Sequence, residues 1–471
     1  VKNCQIAISS NWLSQLNPIF TMASLMKAHV IVGAMPFISH LTPMRTIAQH
    51  LVARGYQVTL ITGGAFRKSV EDTGATCFVP AAWEDFEESS LAAAAQQFIS
   101  TASTGPMPLA NFMASYWFMN AIPLEFNAVQ EILASSKAKN PSKPVILLPE
   151  SSFLVMLPIL LGAPGLRPKG VISVGNMPIL TVNKDTAPPY SGLLPDSSPE
   201  GRLRNEGLNK AFLEACAPMR EQLNSILQDL GAKETDQHRQ NAVLDLSNIF
   251  LQLCPRSLEY PRSDAPPGLR FTGGLPRNHT RTHDPSGLPD WWSELSNRGK
   301  TRIVAVSQGT VAMKPENLII PTLEALKDHE DILVVVALGK RGATLPAEYS
   351  IPKNARVADW IPFDDLLPLS DVFVTNGGYG SFQNALSCGV PLVIAPPFFA
   401  DKRDIAGRVE WSGTGINLKT GNPTPEALRE AVLDILRDEK YKKRALEIKA
   451  EIETYDPMAI IACAIDEVAG S

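Results

Sequence analysis

WIPFDDLLPLSDVFVTNGGYGSFQNALSCGVPLVIAPPFFADK, residues Trp360 to Lys402, is the stretch from which the rest of this chain is best read. Val372 to Thr375 is a short, apolar, β-branched run suited to a buried strand, and Asn376-Gly377-Gly378-Tyr379-Gly380 is a turn that opens a helix at Ser381. Strand, glycine turn and helix form an anion-binding layout. Glycine lets the backbone approach closely, and the unpaired N–H groups of the first helical turn point at the anion with the positive end of the macrodipole behind them. Ser381 adds a hydroxyl donor. A glycine pair by itself reads as an ordinary tight turn, but the sequel changes the balance. Gly389-Val390-Pro391 leads into a second buried run, Leu392 to Ala395, and Asp401-Lys402 falls where the next loop ends. Successive loops of a parallel sheet converge at the strand C-termini.

Outward from this stretch the chain alternates strands and helices, the pattern of an α/β protein. Thr301 to Val306 runs into Ser307-Gln308-Gly309-Thr310, and Ile332 to Leu338 is a further buried run. In the other half, Ala28 to Gly33 reads as a strand, followed by Ser39-His40-Leu41-Thr42-Pro43 and a helix marked by Pro43 at its start and Gly55 past its end. Gln57 to Thr62 and Val145 to Leu148 are further strands, the latter ending at Pro149-Glu150. Phe112, Tyr116, Trp117 and Phe118 form an aromatic stripe that reads as core, with a cleft for a flat, apolar molecule as the lesser alternative.

At 471 residues the chain is long for one core, and its 45% hydrophobic content is ample for two. The division read here is an N-terminal extension at 1–26, one domain at 27–254, a Pro- and Gly-rich linker at 255–290, a second domain at 291–456, and a C-terminal helix at 457–471 expected to pack back on the first domain. A formal charge of -5 without a basic stripe argues against a nucleic-acid partner. The six cysteines are widely spaced and read as reduced thiols, and His279 and His283 in the linker have no ligand partners at zinc spacing. The longest apolar run, Phe153 to Leu161, is broken by Pro158 and falls short of the roughly 18 residues a membrane span needs. With no secretory leader recognised either, the expectation is a soluble, cytoplasmic protein without a membrane span.

Two residues are candidates for proton chemistry. His40 follows the first strand, at the edge where parallel sheets gather active groups, and its ordinary pKa of about 6.5 suits it to accept a hydroxyl proton near neutrality. A loop histidine that caps the helix or faces water is an equal reading of the same position. Glu150 ends a strand at the same edge and could hold the imidazole in one tautomer; a solvated strand-end carboxylate is its alternative.

The box from Trp360 to Lys402 resembles the donor-binding segment of the family 1 glycosyltransferases, which move a sugar from a UDP-sugar to small lipophilic acceptors. Its NGGYG and DK pair is similar to a fungal and bacterial branch. The resemblance implies a GT-B type α/β architecture, two Rossmann-like domains facing across a cleft, with acceptor in the first and donor in the second. By the same match Trp360 stacks on uracil with Ile361 beside it, Gly377, Gly378, Gly380 and Ser381 cradle the diphosphate, and Asp401 holds sugar hydroxyls. Ser307, Gly309 and Thr310 match an S-x-G-[ST] segment that faces the diphosphate from a second loop. Three positions depart from the common pattern: Asn376 stands for a His, Asn384 for the ribose-binding Glu, and Lys402 for a residue that is often Gln.

SHLTP resembles the GHVNP-type segment carrying the family's catalytic His, which implies His40 as general base and Glu150, usually Asp, as its orienting partner. The implied function is inverting transfer of a sugar, with glucose the expected one, to a hydroxyl of a phenolic, polyketide or sterol-like acceptor. The UDP-sugar is a co-substrate, and no cofactor or metal is implied. A glycosidase would need paired carboxylates and no nucleotide box. The rival of a different class is a catalytically silent homologue that binds a UDP-sugar in a regulatory or scaffold role, kept open by Asn376 and Asn384.

Overall fold

Runs of apolar, β-branched residues buried along their whole length, such as His29–Gly33 and Val372–Thr375, require cover on both faces, the signature of parallel sheets sandwiched by helices. The computed structural model describes residues 27–87, 112, 114–275, 288–309, 314–397 and 401–470. The expectations for residues 1–26, His279, His283 and Thr310 fall outside the described residues.

Strands β1 (His29–Gly33), β2 (Gln57–Ile61), β3 (Thr76–Phe78), β4 (Val145–Pro149), β5 (Gly170–Gly175), β6 (Ile249–Gln252) and β7 (Leu269–Phe271) form one parallel sheet in the order β3-β2-β1-β4-β5-β6-β7. Strands β8 (Arg302–Ser307), β9 (Ile332–Ala337), β10 (Ala355–Ala358), β11 (Val372–Thr375), β12 (Leu392–Ile394) and β13 (Gly415–Asn417) form a second, in the order β10-β9-β8-β11-β12-β13. Each order reverses direction once, between β1 and β4 in the first sheet and between β8 and β11 in the second. Connections leave those neighbours toward opposite flanks, so a crevice opens at their C-terminal ends. Gly33 pairs with Pro149 and Thr375 with Ser307, which brings the next residues of each pair of loops together.

The helices used below are α1 (Ile38–Ala53), α2 (Ile122–Lys139), α3 (Arg239–Leu246), α4 (Tyr379–Ser387), α5 (Lys402–Ser412) and α6 (Pro457–Gly470). Two expectations need correction. First, α1 begins at Ile38, so His40 lies in its first turn and not in the preceding loop, and Pro43 sits inside the helix. The Phe37 carbonyl starts the ladder by accepting the N–H groups of His40 and Leu41, and the proline removes one later bond, which the helix tolerates near its N-terminus. Second, β7 belongs to the first sheet, although its residues lie in the stretch read as linker, 255–290. Ladder bonds to β6 compensate for the weak periodicity of that stretch.

The chain returns to the first domain at its end. In α6, Ile461, Ala464 and Ile465 are fully buried against the Val30, Ile146, Leu148 and Ile172 side of the first sheet. Tyr56 donates its hydroxyl to Asp466 at 2.6 Å across that contact. Among the described residues no helix is long and apolar enough to cross a membrane. Ile465→Ala is expected to lower stability by about 2–5 kcal/mol, read as a lower urea midpoint; an unchanged midpoint would show that α6 contributes nothing to the first domain.

Candidate active site

The first crevice holds the proton chemistry. Glu150 continues β4 by one residue: its N–H donates to the Gly33 carbonyl at 2.9 Å, and it bridges to Val174 on the other side. Its side chain has no exposed surface, so the solvated alternative does not apply. Both carboxylate oxygens are occupied. Oε1 accepts from Nδ1 of His40 at 3.0 Å, and Oε2 accepts the Ser152 N–H at 2.7 Å. With the carboxylate as acceptor, Nδ1 is the donor of this bond, which makes Nε2 the ring nitrogen that can accept a proton.

Rings fix the imidazole from the sides. Phe37 lies edge-on at 5.4 Å between centroids and Phe118 at 5.9 Å, while Trp117 packs on Phe37 at 6.1 Å. The aromatic stripe thus splits. Trp117 and Phe118 join the wall beside His40, whereas Tyr116 is exposed and stacks on Phe112. A flat apolar molecule is the kind such a wall accommodates.

The second crevice holds the anion-binding layout. Gly377 has φ 87°, a left-handed conformation open to glycine, and a Cβ there would press on Ile394 at 3.1 Å. Helix α4 starts at Tyr379, two residues earlier than its expected start, which places Gly380 and Ser381 inside the first turn among the unpaired N–H groups. Asn376 is buried, and its amide donates to the carbonyl of Gln308 in the adjacent loop. One amide hydrogen of the residue that stands for the family's His therefore braces the two loops. Ser307 is buried at the end of β8, its hydroxyl accepting the Gly309 N–H at 3.4 Å. Trp360 is half-buried after edge strand β10, with Ile361 buried next to it, and Asn384 is half-buried on α4. Asp401 stands at the N-cap position of α5 without a side-chain capping bond, and its side chain instead pairs with that of Lys402, the first helical residue, at 3.3 Å.

The two crevices are held together through residues that sequence reasoning did not single out. Gln252, the last residue of β6, donates to the hydroxyl of Tyr379 at 2.8 Å, and Gln383 of α4 donates to the Leu253 carbonyl at 2.6 Å. A polar residue closing the apolar run IFLQ was the one available signal. Glu125 in α2 was also passed over, because one acid in a helix carries no mark of burial. It is fully buried, and burial first, then the charge of Glu150, hold its carboxyl well above the ordinary 4.5.

Comparison with known proteins follows this geometry. Residues 322–464 match the family described as Erythromycin biosynthesis protein CIII-like, C-terminal domain. Over the full chain, UDP-glycosyltransferase 2 of Phaeomoniella chlamydospora is 39% identical, with 96% of this chain and 98% of that protein covered. UDP-glucosyltransferase B1 of Starmerella bombicola is 35% identical over 94% of this chain and 99% of its own. Among solved structures, the glycotransferase of kitacinnamycin superposes with a TM-score of 0.67 at 20% identity, covering 94% of this chain and 99% of that one. The arrangement of two parallel-sheet domains is that of the GT-B glycosyltransferases.

The raised carboxyl of Glu125 gives a pH signature. A group that stays protonated when folded contributes stability fully present below its ordinary pKa and lost as pH rises toward the raised value. Gln at this position is free of that loss. The melting temperature of Glu125→Gln is therefore expected to exceed that of the unaltered protein at pH 8, with the gap closing toward pH 5; a gap independent of pH would contradict a buried, neutral Glu125.

Proposed function

Because this chain belongs to the UDP-glycosyltransferase family, we propose that it transfers glucose from UDP-glucose to a hydroxyl of a small lipophilic natural product, phenolic, polyketide or sterol-like, with inversion at the anomeric carbon. The observation that carries the reading is the bond from His40 Nδ1 to the buried Glu150. It leaves Nε2 able to take the acceptor's proton as the acceptor oxygen attacks the anomeric carbon and the bond to UDP breaks on the opposite face. Glu150 then stabilises the imidazolium without moving, since its other oxygen is held by Ser152.

In this mechanism the departing diphosphate is met by Gly377 and Gly378 and by Gly380 and Ser381 in the first turn of α4, with Ser307 and Gly309 on the facing loop; Thr310 is assigned by its place in the S-x-G-[ST] segment alone. Backbone donors fixed where charge develops supply the stabilisation that other enzymes draw from a metal, so none is assigned. Asn376 serves as a brace with one amide hydrogen still to offer, Trp360 stacks on the uracil beside Ile361, and Asn384 reaches the ribose. Asp401 and Lys402 read the sugar hydroxyls from the start of α5. Glucose is favoured by the likeness to UDP-glucosyltransferase B1 of Starmerella bombicola, and a natural-product acceptor by the match to a family of erythromycin biosynthesis.

The test is incubation of the purified protein with UDP-glucose and a panel of phenols, polyketides and sterols. Glycoside and UDP are expected together; donor binding without release of either would sink the reading. His40→Ala should cut turnover by about 10²–10⁴-fold while the dissociation constant for UDP holds, and undiminished turnover would remove His40 as base. Trp360→Ala should weaken UDP roughly tenfold or more by calorimetry, with an equal constant refuting the stacking role.

A further inference from the structure

Helix α5, which carries Asp401 and Lys402 at its start, belongs to the second domain but is gripped by the first. Arg408, two turns along it, is 1% exposed, and Glu259, in the segment after β6, is 2% exposed. Arg408 Nε donates to Glu259 Oε1 at 3.0 Å, and its guanidinium lies 4.2 Å from the centre of the Tyr260 ring. Nη1 of Arg408 also donates to the Asp404 carbonyl at 3.0 Å, so the same side chain braces the helix it stands on. Glu259 is held on its own side by the N–H groups of Ile179 and Tyr260, both at 3.1 Å. Gly407 makes the approach possible, since a Cβ there would stand 2.5 Å from the Tyr260 hydroxyl.

A second grip lies in the first turn. The Tyr190 N–H donates to both oxygens of Asp404, at 3.0 and 3.2 Å, and Asp404 is 7% exposed. Tyr190 adopts φ 67°, a conformation costly for a residue with a side chain, and its ring packs on the core cluster that contains Phe37 and Phe153. A buried ion pair is poor at raising stability but good at specifying one geometry. Here the geometry specified is that of the first turn of α5 against the domain that holds His40.

We propose that Glu259, Arg408 and Asp404 are positioning residues for the donor sugar, fastening the start of α5 to the first domain so that Asp401 and Lys402 stand in register with His40. The proposal rests on the reading of Asp401 and Lys402 as sugar contacts. A helix rises about 1.5 Å per residue, so Arg408 anchors a rigid rod whose other end is the sugar site, and slackness at the anchor becomes displacement at Asp401. The uracil contact and the first turn of α4 lie on other elements, while Gly377 of the diphosphate turn abuts Lys402 and Ile405 of α5, so UDP is expected to feel the anchor less than the sugar does.

That separation supplies the test: calorimetric titration of UDP and of UDP-glucose into the full chain. Removing one partner of the buried pair strands the other charge, so the main variant is the double change Glu259→Gln with Arg408→Met, and Asp404→Asn is the independent second. In the double variant the UDP-glucose dissociation constant should rise on the order of tenfold while that for UDP stays within about twofold. Asp404→Asn should move the same ratio in the same direction by less, and it carries the test if the double variant fails to fold. Parallel weakening of both nucleotides, or no change in either, would overturn the positioning role. An unaltered protein that binds neither nucleotide would overturn the donor reading itself, and this inference with it.

Discussion

Gly33 of β1 pairs with Pro149 of β4, two strands far apart in the chain and neighbours in the sheet. Parallel strands cannot be joined by tight turns, so the chain must leave each by a crossover, and at this one junction the two crossovers go opposite ways. Among the described residues, the segments that follow the two strand ends face each other across the crevice between them. His40, in the first turn of α1, and Glu150, the residue after β4, meet there. The same reversal between β8 and β11 brings Gln308 against Asn376. The chemistry of both halves thus follows from strand order, and the side chains only had to be of suitable type.

Position alone would not make a stable pair. A buried carboxylate is costly unless its oxygens are bonded, and Glu150 meets that condition with one ring N–H and one backbone N–H. Glu125, buried in the same domain, has its carboxyl pushed well above the ordinary range, by burial first and by the charge of Glu150 second. His40 stands in the first turn of α1, which begins at Ile38, and from there its ring meets the Glu150 side chain.

Much of this was legible in the residues. Apolar runs ending in short polar or glycine-bearing turns marked β1, β4, β8 and β11, and knowing that parallel strand ends converge was enough to nominate His40, Glu150 and the NGGYG turn. The start of α1 was misread because Pro43 is a common first residue of helices, and sequence gives no sign that a helix has absorbed one. β7 was missed because Leu269–Phe271 draws its order from pairing with β6 and not from its own periodicity. The Gln252–Tyr379 bond and the Glu259–Arg408 pair were invisible for a more general reason. Their partners lie more than a hundred positions apart on different domains, and long-range polar pairing has no local pattern.

The return of α6 to the first sheet has a consequence for how the protein is made. Ile461, Ile465 and Val468 cover apolar surface offered by Val30, Ile146 and Ile172, yet they follow every strand of both sheets in the chain. During synthesis the first domain emerges early with one flank uncovered, and it must wait for the whole second domain to be translated before that flank is closed. The ribosome therefore releases a chain whose first-made half is the last to be completed, a period in which a chaperone has an apolar face to hold.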